Sequence, residues 1–162
     1  SDMDLDIEFI VEDMRDFCRP DSYDIAINMY SSFGFFEEPE DDRKVILNIY
    51  RSLKEGGRFL IDILGKEIIA SRFREKNWLE VDDSFLLEEV KIKDDWSRVE
   101  TRWIIFRGRK KIEYEFSIRI YSGKEIRNLL KSCGFSDIEL YGNLDGSAYD
   151  EKSSRLYALA YR

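Results

Sequence analysis

Histidine is absent from all 162 residues. That one absence removes Ser-His-Asp and Cys-His catalysis, histidine-ligated zinc and an imidazole general base. Cysteine is nearly absent too. Cys18 and Cys133 have no C-x-x-C spacing and read as reduced thiols of a cytoplasmic protein, Cys133 on the apolar face of a helix. No run is long and apolar enough to span a bilayer, and nothing reads as a signal peptide. Positive charge is the scarcer sign: 26 basic against 34 acidic residues give a net charge of -8. Such a balance argues against nucleic acid or a membrane surface as partner. The short basic strip over 107–111 reads as a charged hairpin tip. No spacing of Asp, Glu or Cys suggests a metal site.

What is present is a chain with 43% apolar and 37% charged residues, long enough for one domain with a buried core. Residues 7–13 are β-branched and aromatic and predict a strand ending at Asp13. The almost continuous apolar run over 23–30 predicts a strand covered on both faces. A loop crowded with aromatics follows: Tyr30, Phe33, Phe35 and Phe36. Pro39 and the acids after it open a helix, with Val45, Ile46, Ile49, Tyr50 and Leu53 at helical spacing. Gly56 reads as its C′ residue and 57–64 as the next buried strand. This is a βαβ unit, whose chemistry belongs at the strands' carboxyl ends.

A second helix is expected over 65–75. Beyond it the period changes to two, with strands over 85–93, 98–107 and 111–121 turned by Asp94-Asp95 and Gly108-Arg109. The expectation is an antiparallel meander spanning 78–121, inserted into the α/β pattern of a single domain, 1–162. Ser122 and Glu125 form a capping-box signature for a helix stopping at Gly134. Two last strands fall over 137–141 and 155–161.

The segments DMRDF (13–17), YDIAINMYSSFGFF (23–36), LKEGGRFLID (53–62) and the ending YGNLDGSAYDEKSSRLYALAYR (141–162) stand in an informative order. Together they resemble a class I S-adenosylmethionine-dependent methyltransferase of a small-molecule branch. Two features depart from that family. Glu55 stands where proline is common, and the glycine-rich motif after the first strand, with the acid ending the second, has no counterpart. The resemblance implies a Rossmann-like α/β sheet of order 3-2-1-4-5-7-6, strand seven antiparallel, with the first two strands absent from this chain. A missing N-terminal segment, a second chain or exchange within a homodimer would complete it.

By the same resemblance S-adenosyl-L-methionine is the cofactor. Asp13 and Met14 would meet its adenine, and Asn28, Met29, Tyr30, Ser31 and Phe33 its methionine portion. A sulfonium cation is attracted to aromatic faces such as those after residue 29. Tyr114 and Arg119 of the meander, with Asp145 and Tyr149 of the last loop, are the candidates for binding the acceptor. Tyr30, Tyr114 and Asp145 are the candidate catalytic side chains. The expected activity is methyl transfer to a small-molecule acceptor. The rival expectation is a non-catalytic module that serves assembly or dimerisation.

Overall fold

A computed structural model describes residues 6–162. Two four-stranded sheets organise them. The first is built from β1 (Tyr23–Asn28), β2 (Leu53–Ile63), β7 (Ser136–Tyr141) and β8 (Leu156–Tyr161), in the order β1-β2-β8-β7. β1 and β2 are parallel, joined by helix α1 (Pro39–Ser52); β8 runs antiparallel to both of its neighbours. This reproduces the 4-5-7-6 half of the expected order, including the reversed strand.

Pairing register explains the core. Phe59, Ile61 and Ile63 stand opposite Ala160, Ala158 and Leu156, so alternate residues of β2 and β8 present one apolar face. Val45 and Ile46 of α1 cover that face, together with Ile126 and Leu130 of α3 (Gly123–Ser132). Small alanines on β8 leave room for Phe59 and Phe135, whose ring centroids are 5.8 Å apart. The capping box of α3 is formed in both directions: Glu125 N–H donates to Ser122 Oγ and Ser122 N–H to Glu125 Oε2.

The second sheet is the meander: β3 (Lys76–Val81), β4 (Ser84–Lys93), β5 (Arg98–Arg107) and β6 (Lys110–Arg119). It has one strand more than the sequence pattern suggests, because β3 pairs along its whole length with β4 through a tight turn at Asp82. Between the sheets lies the short helix α2 (Lys66–Ser71), which ends four residues earlier than 65–75 predicts.

Two other expectations are corrected. Helix α1 stops at Ser52, not before Gly56. Its last carbonyls, those of Arg51 and Ser52, accept from the N–H groups of Asp21 and Ser22, at 3.0 and 2.9 Å, so no glycine cap is needed. Gly56 instead sits within β2 at φ 75°. Residues 7–13 form no strand. Strand geometry requires a partner for each N–H and C=O, and none of the described strands pairs with this segment. Phe9 and Val11 are left exposed. The segment is held by ion pairs, Glu8 to Arg19 and Asp13 to Arg15, and by the turn in which the Asp13 carbonyl accepts from Asp16 and Phe17 N–H.

β1 forms one margin of its sheet. The cover expected on both faces of this strand is not found among the described residues: Ile25 and Ile27, on the same side of it, are 63% and 67% exposed.

Candidate functional site

β1 and β2 end side by side, Asn28 in register with Ile61, and the chain leaving β1 turns sharply. Tyr30 and Ser31 both take left-handed backbone conformations, φ 58° each, which non-glycine residues adopt only when held there. Asp62, buried near the end of β2, supplies the hold. Its Oδ2 accepts Tyr30 N–H at 3.0 Å and its backbone carbonyl accepts Ser31 N–H at 3.0 Å. Arg155 closes the ring, donating through Nε to Asp62 Oδ1 at 2.6 Å and through Nη2 to Ser31 Oγ at 2.8 Å. The strained turn therefore rests on a neutralised carboxylate–guanidinium pair.

Further along, Gly34 (φ 93°) lets the loop backbone lie directly against the end of β6. Arg119 N–H donates to Gly34 O at 2.7 Å, and a Cβ at position 34 would overlap the Arg119 carbonyl. Arg98 and Arg119 reach over to the carbonyls of Phe36 and Glu37. The loop is thus clamped to the meander by one backbone hydrogen bond and two arginine side chains.

A second junction lies beneath it. Asp42, in the first turn of α1, is fully buried, accepts from the Tyr121 hydroxyl at 2.7 Å and pairs with Arg119 Nε at 3.3 Å. Burial raises the Asp42 carboxyl above the usual carboxylate range, opposed by the Tyr121 hydrogen bond and the arginine charges. Burial and the Asp42 carboxylate raise the Tyr121 phenol.

Between the two sheets these elements enclose a cavity of about 660 Å³. Its floor is the β1 loop and the end of β2, its side is α2 with Phe73, and its roof is one face of the meander, including Val90, Val99, Phe116 and Ile118.

Of the residues expected from sequence, Tyr30, Ser31, Phe33 and Arg119 line this cavity. Tyr30 is almost fully exposed, whereas Phe33 is core and packs on Tyr121 at 5.6 Å between centroids. Asn28 and Met29 lead into the turn: Asn28 Nδ2 donates to Ser32 O, and its Oδ1 is buried without a donor. Asp13 and Met14 do not line the cavity. Through Arg15, which pairs with both Asp13 and Asp41 and lies 4.6 Å from the Phe36 ring centroid, they are held beside the start of α1. Arg15 holds the Asp13 carboxyl down at about 2.

Tyr114, Asp145 and Tyr149 stand outside the cavity. Tyr114 is opposite Trp103 on the roof's inner face but lies farther out. Asp145 accepts from Ser147 N–H within its own loop. Tyr149 donates to Glu67 at 2.8 Å behind Gly65. Asp62, Arg155 and Asp42 are not singled out from sequence, since their pairings join distant segments; Glu88 and Trp103, which face each other across one hairpin, are not singled out either. Among the described residues no cluster of potential metal ligands is found.

No protein-family model matches the chain, and no curated protein does. Solved structures do. The chain is similar to the CcbJ methyltransferase of Streptomyces caelestis, with TM-score 0.82 and 13% identity over 94% of this chain and 66% of that one. It is similar to an S-adenosylmethionine-dependent methyltransferase of Clostridium acetobutylicum, with TM-score 0.79 and 19% identity over 97% of this chain and 65% of that one. CalS10 of Micromonospora echinaspora, an amino pentose methyltransferase, gives TM-score 0.63 and 15% identity over 93% and 63%. The fold is that of a class I methyltransferase. At these identities the likeness is one of architecture, and the chain spans just under two thirds of each neighbour's length. In this methyltransferase fold β1, β2, β8 and β7 are the 4-5-7-6 strands, and the cavity opens at the carboxyl ends of its parallel pair.

Proposed function

We propose that this chain carries the methyl-presenting and acceptor-binding part of an S-adenosylmethionine-dependent small-molecule methyltransferase. The observation that carries the reading is the strained, Asp62-anchored turn at Tyr30-Ser31, opening onto a cavity roofed by the meander. Strained backbone of this kind concentrates at functional sites.

The residues at this mouth fit the methionine end of the cofactor. Asn28 Oδ1 is an acceptor without a donor, Tyr30 and Phe35 offer exposed aromatic faces, and Arg155 is neutralised by Asp62. When bound, the cofactor supplies an electrophilic methyl carbon on a sulfonium. Tyr30 and Phe35 would favour that positive charge by roughly 1 kcal/mol, and Asp13 and Met14 remain our proposal for the adenine side. Met29, Ser31 and Phe33 would shape the turn. The chain's own task is to hold an acceptor close and in line, exclude water and leave the sulfonium unopposed. Arg119 would bound the acceptor space; Tyr114, Asp145 and Tyr149 would act only through outer contacts.

The bare margin of β1 is where further polypeptide, either more of a longer protein or a second chain, would complete the sheet. The same feature favours a second reading, a non-catalytic assembly module, because an open strand edge templates pairing. No helix of the described residues is long and apolar enough to cross a membrane; we propose a cytoplasmic setting.

Titration of the ¹⁵N-labelled chain with S-adenosylhomocysteine tests the reading. Shifts centred on 13–14 and 28–35 are expected, weak for the chain by itself and strengthened when the β1 margin is completed. Shifts confined to other regions, or a stable homo-oligomer insensitive to the ligand, favour the assembly module.

A further inference from the structure

The roof of the cavity carries a carboxylate that no function above employs. Glu88 of β4 stands opposite Trp103 of β5, on the face of the meander that looks into the cavity. The Trp103 indole N–H donates to Glu88 Oε1 at 2.9 Å, and that is the one hydrogen bond made by this carboxylate among the described residues. Its other oxygen has no protein donor among the described residues. Phe116 packs edge-on against the Trp103 ring, with centroids 5.0 Å apart and planes at 81°, which leaves aromatic surface beside the carboxylate.

The other charges around the cavity are already engaged. Arg155 is paired with Asp62, Arg119 with Asp42 and the Glu37 carbonyl, and Arg72 with the carbonyls of Lys152 and Ser153. Arg74 remains, but it is exposed at the rim. A half-buried carboxylate, oriented by an indole and flanked by aromatic rings, keeps one oxygen open to the cavity and free to accept from a ligand donor in place of water. The matching ligand group is a cationic nitrogen, which takes a charge-assisted hydrogen bond and the aromatic faces together.

We propose that Glu88 is a specificity residue that recognises an amine, in its ammonium form, on the acceptor, with Trp103 as the positioning residue that aims it. This deepens the methyltransferase reading and rests on it for the word acceptor; the cation site itself can be measured independently.

The test uses the full chain and three small probes of similar shape: 2-phenylethylammonium, 2-phenylethanol and phenylacetate. The readout is the Trp103 indole N–H resonance, assigned by comparison with Trp103→Phe. The ammonium is expected to move it saturably, with affinity about tenfold above the neutral alcohol and with phenylacetate weakest. Glu88→Gln keeps an oxygen for the indole N–H and should abolish that preference while leaving alcohol binding and the other indole resonances unchanged. Arg74→Ala should leave the preference intact or enlarge it. Equal binding of alcohol and ammonium, preference for phenylacetate, an unaltered preference in Glu88→Gln, or no saturable shift with any probe overturns the proposal. Ammonium binding at Trp103 in a protein whose residues 28–35 ignore S-adenosylhomocysteine overturns the methyltransferase reading instead and leaves the cation site standing.

Discussion

The Tyr121 hydroxyl donates to Asp42 across the junction of α1 and the meander, joining residues that are 79 positions apart at 2.7 Å. Arg119 approaches the same carboxylate, and the cavity lies on the far side of both partners. The relative placement of roof and floor therefore depends on a buried charge.

Removing that charge without replacing its hydrogen bonds should be severe. Asp42→Ala is expected to lower stability by about 3–5 kcal/mol, because the largely buried Arg119 is left unpaired. Tyr121→Phe should lose about 1–3 kcal/mol by leaving the carboxylate short of a donor. Urea unfolding followed by circular dichroism measures both. The pH dependence has a definite sign. The folded Asp42 carboxyl is raised above its unfolded value, so in that window the folded state binds more protons and this group's contribution falls as pH rises. Relative to Asp42→Asn, the wild type should lose stability as pH climbs through the raised range.

Asp62 holds both strained residues of the β1 turn. Asp62→Ala should release Tyr30 and Ser31 from their left-handed conformations and free the Arg155 side chain. A loss of up to about 3 kcal/mol is expected, at the low end for a buried pair since Arg155 is partly exposed. Amide exchange at Tyr30 and Ser31 should accelerate more than exchange in α3.

Gly34 has no room for a side chain and sits at φ 93°. Gly34→Ala should destabilise by at least about 1–3 kcal/mol from backbone strain alone. It should also detach the loop from β6, which would be seen as loss of protection at Arg119 N–H.

Asp13 should titrate at about 2 in a carbonyl-detected NMR series, held down chiefly by its side-chain hydrogen bond with Arg15. Arg15→Ala should return it toward the ordinary carboxylate range. Its stabilising effect is complete above the unfolded value and disappears as pH falls through the folded one. An unshifted Asp13 in the wild type would refute the ion pair.

Much of the architecture was readable because it is local. The apolar run of β1, the helical spacing in α1 and the capping box at Ser122 each specify their element from neighbours within a few residues. The reading over 7–13 went astray because β-branched composition reports suitability for a half-buried pleated surface, and none of the described strands pairs with that segment. Gly56 looked like a helix stop because the competing carbonyl caps, Asp21 and Ser22, come from 30 residues upstream. For the cavity, the aromatic loop was visible and its supports were not. Asp62 and Arg155 are 93 positions apart, and only sheet pairing puts them together. Glu88 and Trp103 were within reach, since the register of β4 on β5 follows from the turn at Asp94-Asp95.

The turn at Tyr30-Ser31 hangs from β1, a strand that among the described residues is bonded along one side. Whatever comes to lie along the vacant side of β1 would add a second set of ladder bonds to the same backbone that ends in this turn. Rigidity at the cavity mouth and occupancy of that flank are then a single equilibrium. A binding partner on one side of the strand would act on the cavity mouth at its tip without touching it.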